Sequence, residues 1–232
     1  MKYGAMTYGA MKRGAMKRRF FLDVMLLALT SVCAAHAQQP ATIDVEFTNE
    51  KLVTPHWHLT FNSEGSGQFD ADAGRQAAAG TIVPGPIHRP VQLSPAFTDK
   101  VFTVARQRKL FAFPCESHMK VAQQGIKRLS YTGPEGSGAC EYNYSKDKEI
   151  QSLGDSLIAV QTTLLYGATL EKMLQHDRLG LDQEIGNLAM EVHQGTAIEL
   201  GTIRDILMRL ADDDQVLERV RKRARLLLAD AQ

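Results

Sequence analysis

The distribution of proline and aromatic residues divides this chain near residue 145, and that division constrains its fold most. All eight prolines lie at or before Pro134. After residue 37, eleven of the twelve aromatic residues lie at or before Tyr144, and only Tyr166 follows. Losing proline and aromatic residues while gaining Leu is typical of a change from strands and turns to helices. The sequence therefore predicts an α+β fold, with an α+β unit over 38–144 and a helical region over 145–232.

Alternating apolar residues predict antiparallel hairpins in the first half. Ile43, Val45 and Phe47 alternate with acidic residues, which is the pattern of a strand with one buried face. The same alternation on both sides of a Gly-rich turn predicts a hairpin over 56–72. The Ala-, Gly- and Pro-rich stretch 73–90 is expected to be an exposed loop.

A packed helix and a second hairpin complete the predicted α+β unit. Ser94 followed by Pro95 predicts a helix that begins there, with Ser94 as its N-cap. A second hairpin is expected over 126–144, with its turn at 133–138.

The second half predicts about four helices. Their expected N-caps are Ser145, Asp182, Thr202 and the acidic run 212–214. The first helix carries a seam of apolar and small residues at spacings of three and four, typical of a packed helical hairpin or a short coiled coil. This seam consists of Ile150, Leu153, Leu157, Val160, Leu164, Gly167 and Leu174.

The N-terminus has the pattern of a secretory signal peptide over residues 1–37. Arg18 and Arg19 precede a short apolar run, and small residues lead to a cleavage site between Ala37 and Gln38. An N-terminal membrane anchor is the alternative, although the run is shorter than the roughly 20 residues that a span needs. A five-residue repeat precedes Arg18, so we hypothesise that translation starts at Met11 or Met16. We expect a periplasmic or secreted protein with no stable membrane span after cleavage.

Two cysteines remain after the predicted cleavage, Cys115 and Cys140. An exported chain meets an oxidising compartment, where paired cysteines persist as disulfides. The sequence predicts an intramolecular disulfide between them. Two free thiols or an intermolecular bridge are the alternatives.

The segment around Trp57 supplies the candidate metal ligands. His56 and His58 are two residues apart, so on a strand their side chains share a face and can reach one metal ion. The alternative is that Trp57 points into the core while both histidines point to water. No third ligand lies at a diagnostic spacing, and the sequence predicts no cofactor.

Composition and motifs argue against several other functions. The composition excludes disordered, collagen-like and polytopic membrane proteins. Beyond residue 37 the chain has 21 Lys and Arg against 25 Asp and Glu, a net charge of −4. A nucleic-acid binder needs a basic surface, so no nucleic-acid partner is expected. Two Ser-x-x-Lys matches, at Ser117 and Ser145, lack the partner motifs of penicillin-recognising enzymes.

Three segments resemble a known group of sequences. They are the hairpin sequence over 128–144, the polar junction over 177–184 and the basic helix over 216–224. Together they are similar to a group of uncharacterised exported bacterial proteins of comparable length. The resemblance implies an exported protein with a paired-cysteine first half and a helical second half, and it implies no activity and no catalytic residue.

The leading hypothesis from these observations is an exported, non-enzymatic binding or interaction module of the cell envelope. Its partner would be an envelope protein, a peptide or a second copy that pairs through the helical region. The alternative is a small metal-binding protein or metal-assisted hydrolase that uses His56 and His58.

Overall fold

A computed structural model of the chain describes residues 1, 3–4, 40–75 and 82–231. Residues Gln39–Gln232 form one compact unit, and Met1–Gln38 is a second unit. The predicted signal peptide beyond residue 4 and its cleavage site between Ala37 and Gln38 lie outside the described residues. No helix among the described residues is both long and apolar enough to cross a membrane.

A six-stranded antiparallel sheet forms the first half of the compact unit. Its strand order is β4-β3-β2-β1-β5-β6, and every neighbouring pair is antiparallel. The strands are β1 (Thr42–Thr48), β2 (His56–Asn62), β3 (Ser66–Ala71), β4 (Ile87–Gln92), β5 (Ile126–Gly133) and β6 (Gly136–Tyr142). Both predicted hairpins are present, and the pairing of β1 with β5 joins them into one sheet.

Strand β4 corrects the prediction of a loop over 73–90, because the strand begins at Ile87. Its sequence contains Pro90, a residue type that central strands exclude. The strand lies at one edge of the sheet and pairs only with β3. A proline is tolerated at an edge, where its missing N–H need not leave a gap in the ladder of hydrogen bonds.

Within the described residues the helices are α1 (Pro95–Gln107), α2 (Lys148–His176), α3 (Leu181–Gln194), α4 (Arg204–Asp212) and α5 (Glu218–Asp230). One 3₁₀ turn, Lys109–Phe111, follows α1, and another, Leu200–Ile203, precedes α4. The expected α+β class is therefore confirmed, with one helix packed beside the hairpins and four helices after them. Ser94 caps α1 as predicted, because its hydroxyl accepts the N–H of Phe97 at 3.2 Å.

The predicted start of α2 is wrong by two residues. Asp147 caps this helix by accepting the N–H groups of Glu149 and Ile150 at 3.0 and 3.3 Å. Ser145 instead accepts the N–H of Asp147 at 3.2 Å, so it stabilises the turn that precedes the cap. A carboxylate at Asp147 also complements the positive end of the helix dipole, which a serine does not.

The other predicted N-caps are displaced as well. Helix α3 begins at Leu181, so Asp182 lies inside its first turn. Thr202 lies in the 3₁₀ turn before α4, and α5 begins at Glu218, after the acidic run 212–214. Tertiary contacts account for Asp182, which forms ion pairs with α5 and so serves as an interhelical partner.

One hydrophobic core spans both halves of the compact unit. The buried apolar residues of all six strands belong to the same cluster as those of all five helices. Tyr142 on β6 donates its hydroxyl to the carbonyl of Ile150 on α2 at 3.0 Å. The seven residues of the predicted seam on α2 are all buried within this chain.

Candidate functional site

The outer face of the sheet carries a row of six titratable residues that crosses all six strands. Antiparallel register aligns them as neighbours, one residue per strand. In spatial order they are His88, Asp70, His58, Glu46, Arg128 and Glu141. We call this set the outer row. Strand periodicity explains its polarity, because the residues on either side of each position point into the core.

The closest contact on this face joins β2 to β1. The Nε2 atom of His58 lies 2.5 Å from the Oδ2 atom of Asp44, and the two side chains are 31% and 36% exposed. The hydroxyl of Thr60 lies 3.4 Å from the same nitrogen. Asp44 is paired with Thr60 in the register, so it approaches His58 diagonally, within the reach of neighbouring side chains on one sheet face.

Glu46 completes a cluster that is able to hold a metal ion. It lies directly opposite His58, and one ligand atom from each of Asp44, Glu46 and His58 can be chosen so that all three lie within 4.8 Å of one another. His56 lies opposite Thr48 and is not part of this cluster. The structure therefore groups one of the two predicted histidines with two carboxylates, and it does not group the histidines with each other.

A second histidine–carboxylate pair extends the outer row toward the β4 edge. The Nδ1 atom of His88 lies 2.8 Å from the Oδ1 atom of Asp70. The hydrogen bond from His88 is the main reason that the pKa of Asp70 lies below its ordinary value, and burial opposes this effect. Asp70 thus remains a carboxylate at any pH at which the protein is expected to work.

Acidic and basic residues alternate along the outer row. The carboxylates lie on β3, β1 and β6, which are second, fourth and sixth in spatial order. The two histidines and the arginine lie on β4, β2 and β5. The side chains of His58, Asp70 and His88 are 31%, 38% and 76% exposed. The face is consequently open to a ligand, and it offers donors and acceptors at the regular spacing of strands, about 4.8 Å.

The disulfide predicted from the sequence is present in the structure. It joins Cys115 to Cys140 on β6, and the two Cα atoms are 5.9 Å apart. The segment 109–117, which we call the edge strap, lies against β6. A Cβ atom at Gly138 of β6 would lie only 2.4 Å from the carbonyl oxygen of Leu110, so the strap packs directly on the strand backbone.

The edge strap begins with a left-handed turn. Lys109, Leu110 and Phe111 have φ values of 51°, 56° and 66°. Non-glycine residues in this region are strained by about 1 kcal/mol or more each. Burial of Phe111, which is fully inaccessible, and the disulfide four residues later offset this strain. Together they protect the second edge of the sheet, which would otherwise expose unpaired backbone groups.

Glu116 anchors the far end of the edge strap. Its carboxylate accepts the N–H of Asn143 at 2.6 Å and the N–H of His118 at 3.0 Å. The hydrogen bond from Asn143 is the largest of the effects that lower the pKa of Glu116 to about 2. The group is therefore a structural anion, and it has no proton to give at neutral pH.

Lys127 is the most unusual titratable group of the inner face. Only 3% of the residue is exposed, and its Nζ atom lies 5.9 Å from the ring centre of Phe47 and 5.4 Å from that of Tyr142. The ammonium group donates to the carbonyl of Asn143 at 3.3 Å. Burial lowers the pKa of Lys127 below its ordinary value.

Four of the five basic residues of α5 are engaged within the chain. Arg219 and Arg223 both contact Asp182 of α3 at 2.8 Å, and Arg221 pairs with Glu218. Arg225 donates to the carbonyl of Ala211 at 2.9 Å. These contacts make the four arginines part of the packing of α5 against the rest of the chain.

Four residues around His58 were not selected as site residues from the sequence: Asp44, Glu46, Asp70 and Arg128. The alternation in β1 already placed Asp44 and Glu46 together on the polar face of a strand. Nothing local indicated that β1 would lie between β2 and β5, because strand order depends on long-range packing.

No protein-family model matches this chain, and no curated protein matches its sequence.

Proposed function

We propose that this chain is an exported, non-enzymatic binding module of the cell envelope, and that its ligand binds the outer face of the sheet. One observation carries the proposal: one face of the sheet is buried under helices, while the other presents six aligned residues in which acidic and basic side chains alternate. A rigid sheet holds such side chains in fixed positions, so little ordering is needed when a partner binds.

The burial of the α2 seam moves the proposed partner surface away from the helices. Ile150, Val160 and Leu164 are fully inaccessible within this chain, so they are not free to pair with a second copy. The partner on the outer row is expected to be an envelope protein or a peptide. Its surface would carry charges of both signs, because complementary charges across an interface give specificity and fast association.

Two observations support the exported location. The disulfide between Cys115 and Cys140 fits an oxidising compartment, where such bonds persist. The N-terminal sequence pattern fits a secretory leader cleaved between Ala37 and Gln38.

Mass spectrometry of the protein purified from an exported fraction tests both the disulfide and the cleavage of the leader. We expect a chain that begins at Gln38 and is two hydrogens lighter than its reduced form; a retained leader contradicts export by cleavage.

Site-specific photocrosslinking in cells tests the location of the partner surface. A photoreactive phenylalanine at Thr60 or Ser130 lies on the outer face beside the outer row. The matched control is the same residue at Leu226, which is 60% exposed on α5. We expect an adduct from the two sheet positions and none from Leu226.

Charge reversal makes the same experiment specific to the outer row. Glu46→Lys puts a lysine between His58 and Arg128, so that three neighbouring strands carry basic residues. This substitution should abolish the adduct at Thr60. Adducts at Leu226 alone, or adducts at Thr60 that Glu46→Lys leaves unchanged, contradict the proposed surface. An adduct of twice the chain mass identifies a second copy as the partner.

A further inference from the structure

The cluster of Asp44, Glu46 and His58 offers a mixed donor set on two adjacent strands. The ligand atoms are one imidazole nitrogen and two carboxylate oxygens, all within 4.8 Å of one another. We propose that these three residues bind one divalent transition-metal ion of the zinc class on the outer face. This inference rests on the proposed function, since it names the chemical class of a ligand for the same face.

The chemistry of the donors favours zinc over calcium and magnesium. Zn²⁺ binds imidazole nitrogen and carboxylate oxygen at about 2.0–2.2 Å, and sites with three protein ligands leave a further position for water or a partner group. Ca²⁺ and Mg²⁺ prefer sites made of oxygen atoms alone. Two carboxylates with a neutral imidazole also balance the charge of a divalent ion, which lowers the cost of bringing it to a half-buried surface.

The register of β1 and β2 holds the donors in position. Glu46 is directly opposite His58, and Asp44 lies two residues before Glu46 on the same face of β1. The Nε2 atom of His58 and the Oδ2 atom of Asp44 are 2.5 Å apart and form a hydrogen bond. A metal ion bound at Nε2 takes the place of this hydrogen bond, because a metal ligand must present a free lone pair.

The neighbours of the cluster set the limits of its affinity. Asp70 lies opposite His58 on β3 and adds negative charge, whereas Arg128 lies opposite Glu46 on β5 and adds positive charge. His88 is bonded to Asp70 and is therefore one position removed from the proposed ion. The site is expected to be of moderate affinity.

Zinc binding to the exported chain, purified with its disulfide intact and without an affinity tag, tests the proposal. The probe is ZnCl₂ in a non-chelating buffer, measured by calorimetry and by the metal content of the dialysed protein. We expect one zinc ion per chain, and no displacement by excess Mg²⁺ or Ca²⁺. His58→Ala and Glu46→Gln should each weaken binding by about tenfold or more, as is usual for residues that hold a metal.

The chain provides matched controls for both variants. His56→Ala removes a histidine from the same face of the same strand, two positions away and outside the cluster. Glu64→Gln neutralises an exposed carboxylate in the turn between β2 and β3. Both controls should retain the affinity of the unmodified chain. Fluorescence of the single tryptophan, Trp57, which is buried, verifies that every variant is folded.

A measurement on the unmodified chain guards against variants that fail to fold. In nitrogen-detected NMR of the histidine rings, zinc should shift the signals of His58 at lower concentrations than those of His56 and His88. Absence of saturable zinc binding, equal weakening by His56→Ala and His58→Ala, or simultaneous shifts of all three rings overturns the proposal. If zinc does not bind but the outer-face adducts still form in chelator, only the metal proposal fails and the binding module stands.

Discussion

The carboxylate of Glu199, in the helical half of the chain, binds Ser94, the N-cap residue of helix α1. It accepts the backbone N–H of Ser94 at 2.6 Å and the Ser94 hydroxyl at 2.7 Å. Glu199 adopts a left-handed conformation with φ of 59°, a strained position for a non-glycine residue. The two hydrogen bonds offset this strain, because they join the helical half of the chain to the N-cap of α1.

Neutralising Glu199 should therefore weaken the whole fold rather than one helix. We expect Glu199→Gln to lower the free energy of unfolding by about 1–2 kcal/mol, because hydrogen bonds to a charged group are lost or weakened. Urea unfolding followed by Trp57 fluorescence measures the effect. The control Glu64→Gln, on an exposed turn, should change the unfolding free energy by less than about 0.5 kcal/mol. Equal effects of the two substitutions would refute a specific role for Glu199.

Reduction of the disulfide should destabilise the edge strap and with it the β6 edge. A bridge that closes a loop of 25 residues contributes about 3 kcal/mol in the chain-entropy model. Urea unfolding with and without reductant measures this difference. The Cys115→Ser, Cys140→Ser double variant should unfold like the reduced chain and should not respond to reductant. Hydrogen exchange of Ala139 and Glu141 on β6 should accelerate in both cases, and unchanged exchange at these positions contradicts the role of the strap.

Glu116 should make stability fall at acidic pH. Its pKa is lowered from 4.5 to about 2 in the folded chain, chiefly by the hydrogen bond from Asn143. The unfolded chain therefore binds a proton first as the pH falls, and the contribution of Glu116, complete above 4.5, is lost as the pH approaches 2. Glu116→Gln should lower stability at neutral pH and flatten the acid decline. The exposed carboxylate of Glu141 provides the control, because Glu141→Gln should leave the decline in place.

Replacing Lys127 should stabilise the protein. Its ammonium group is buried with one hydrogen bond to a carbonyl oxygen, and burial lowers its pKa. Because the charged form is favoured less in the folded chain than in the unfolded chain, stability should rise with pH between the lowered pKa and the ordinary value of 10.5. Lys127→Met keeps the side-chain volume and removes the buried charge, so we expect a gain of about 1 kcal/mol at pH 7.

The test of Lys127 compares it with an exposed lysine. Urea unfolding of Lys127→Met and Lys51→Met at pH 7 and pH 9 separates the buried charge from charge in general, since Lys51 lies in the exposed turn after β1. Only Lys127→Met should be more stable at pH 7 and lose the rise toward pH 9. Destabilisation by Lys127→Met would show instead that its contacts with Phe47 and Tyr142 outweigh the cost of burying the charge.

Local patterns were sufficient where the physical cause is local. The hydroxyl of Ser94 and the fixed backbone of Pro95 set the start of α1 without help from distant residues, and that prediction is confirmed. The alternation in β1 and β2 also located the strands correctly. Ser145 and Asp182 failed as predicted caps because nearby or distant partners use them differently, one for the turn before Asp147 and the other for the arginines of α5.

The α+β division near residue 145, the polar and apolar faces of the first strands and a disulfide between Cys115 and Cys140 could all be predicted from local sequence patterns. The position of β1 between β2 and β5, the extension of the sheet by β4 and the burial of the α2 seam inside the same chain became visible only in the folded structure. The physical reason is the range of the interactions. Alternation and capping depend on residues a few positions apart, whereas strand order depends on burying two distant hairpins in one core, and it is strand order that brings Asp44, Glu46 and His58 together.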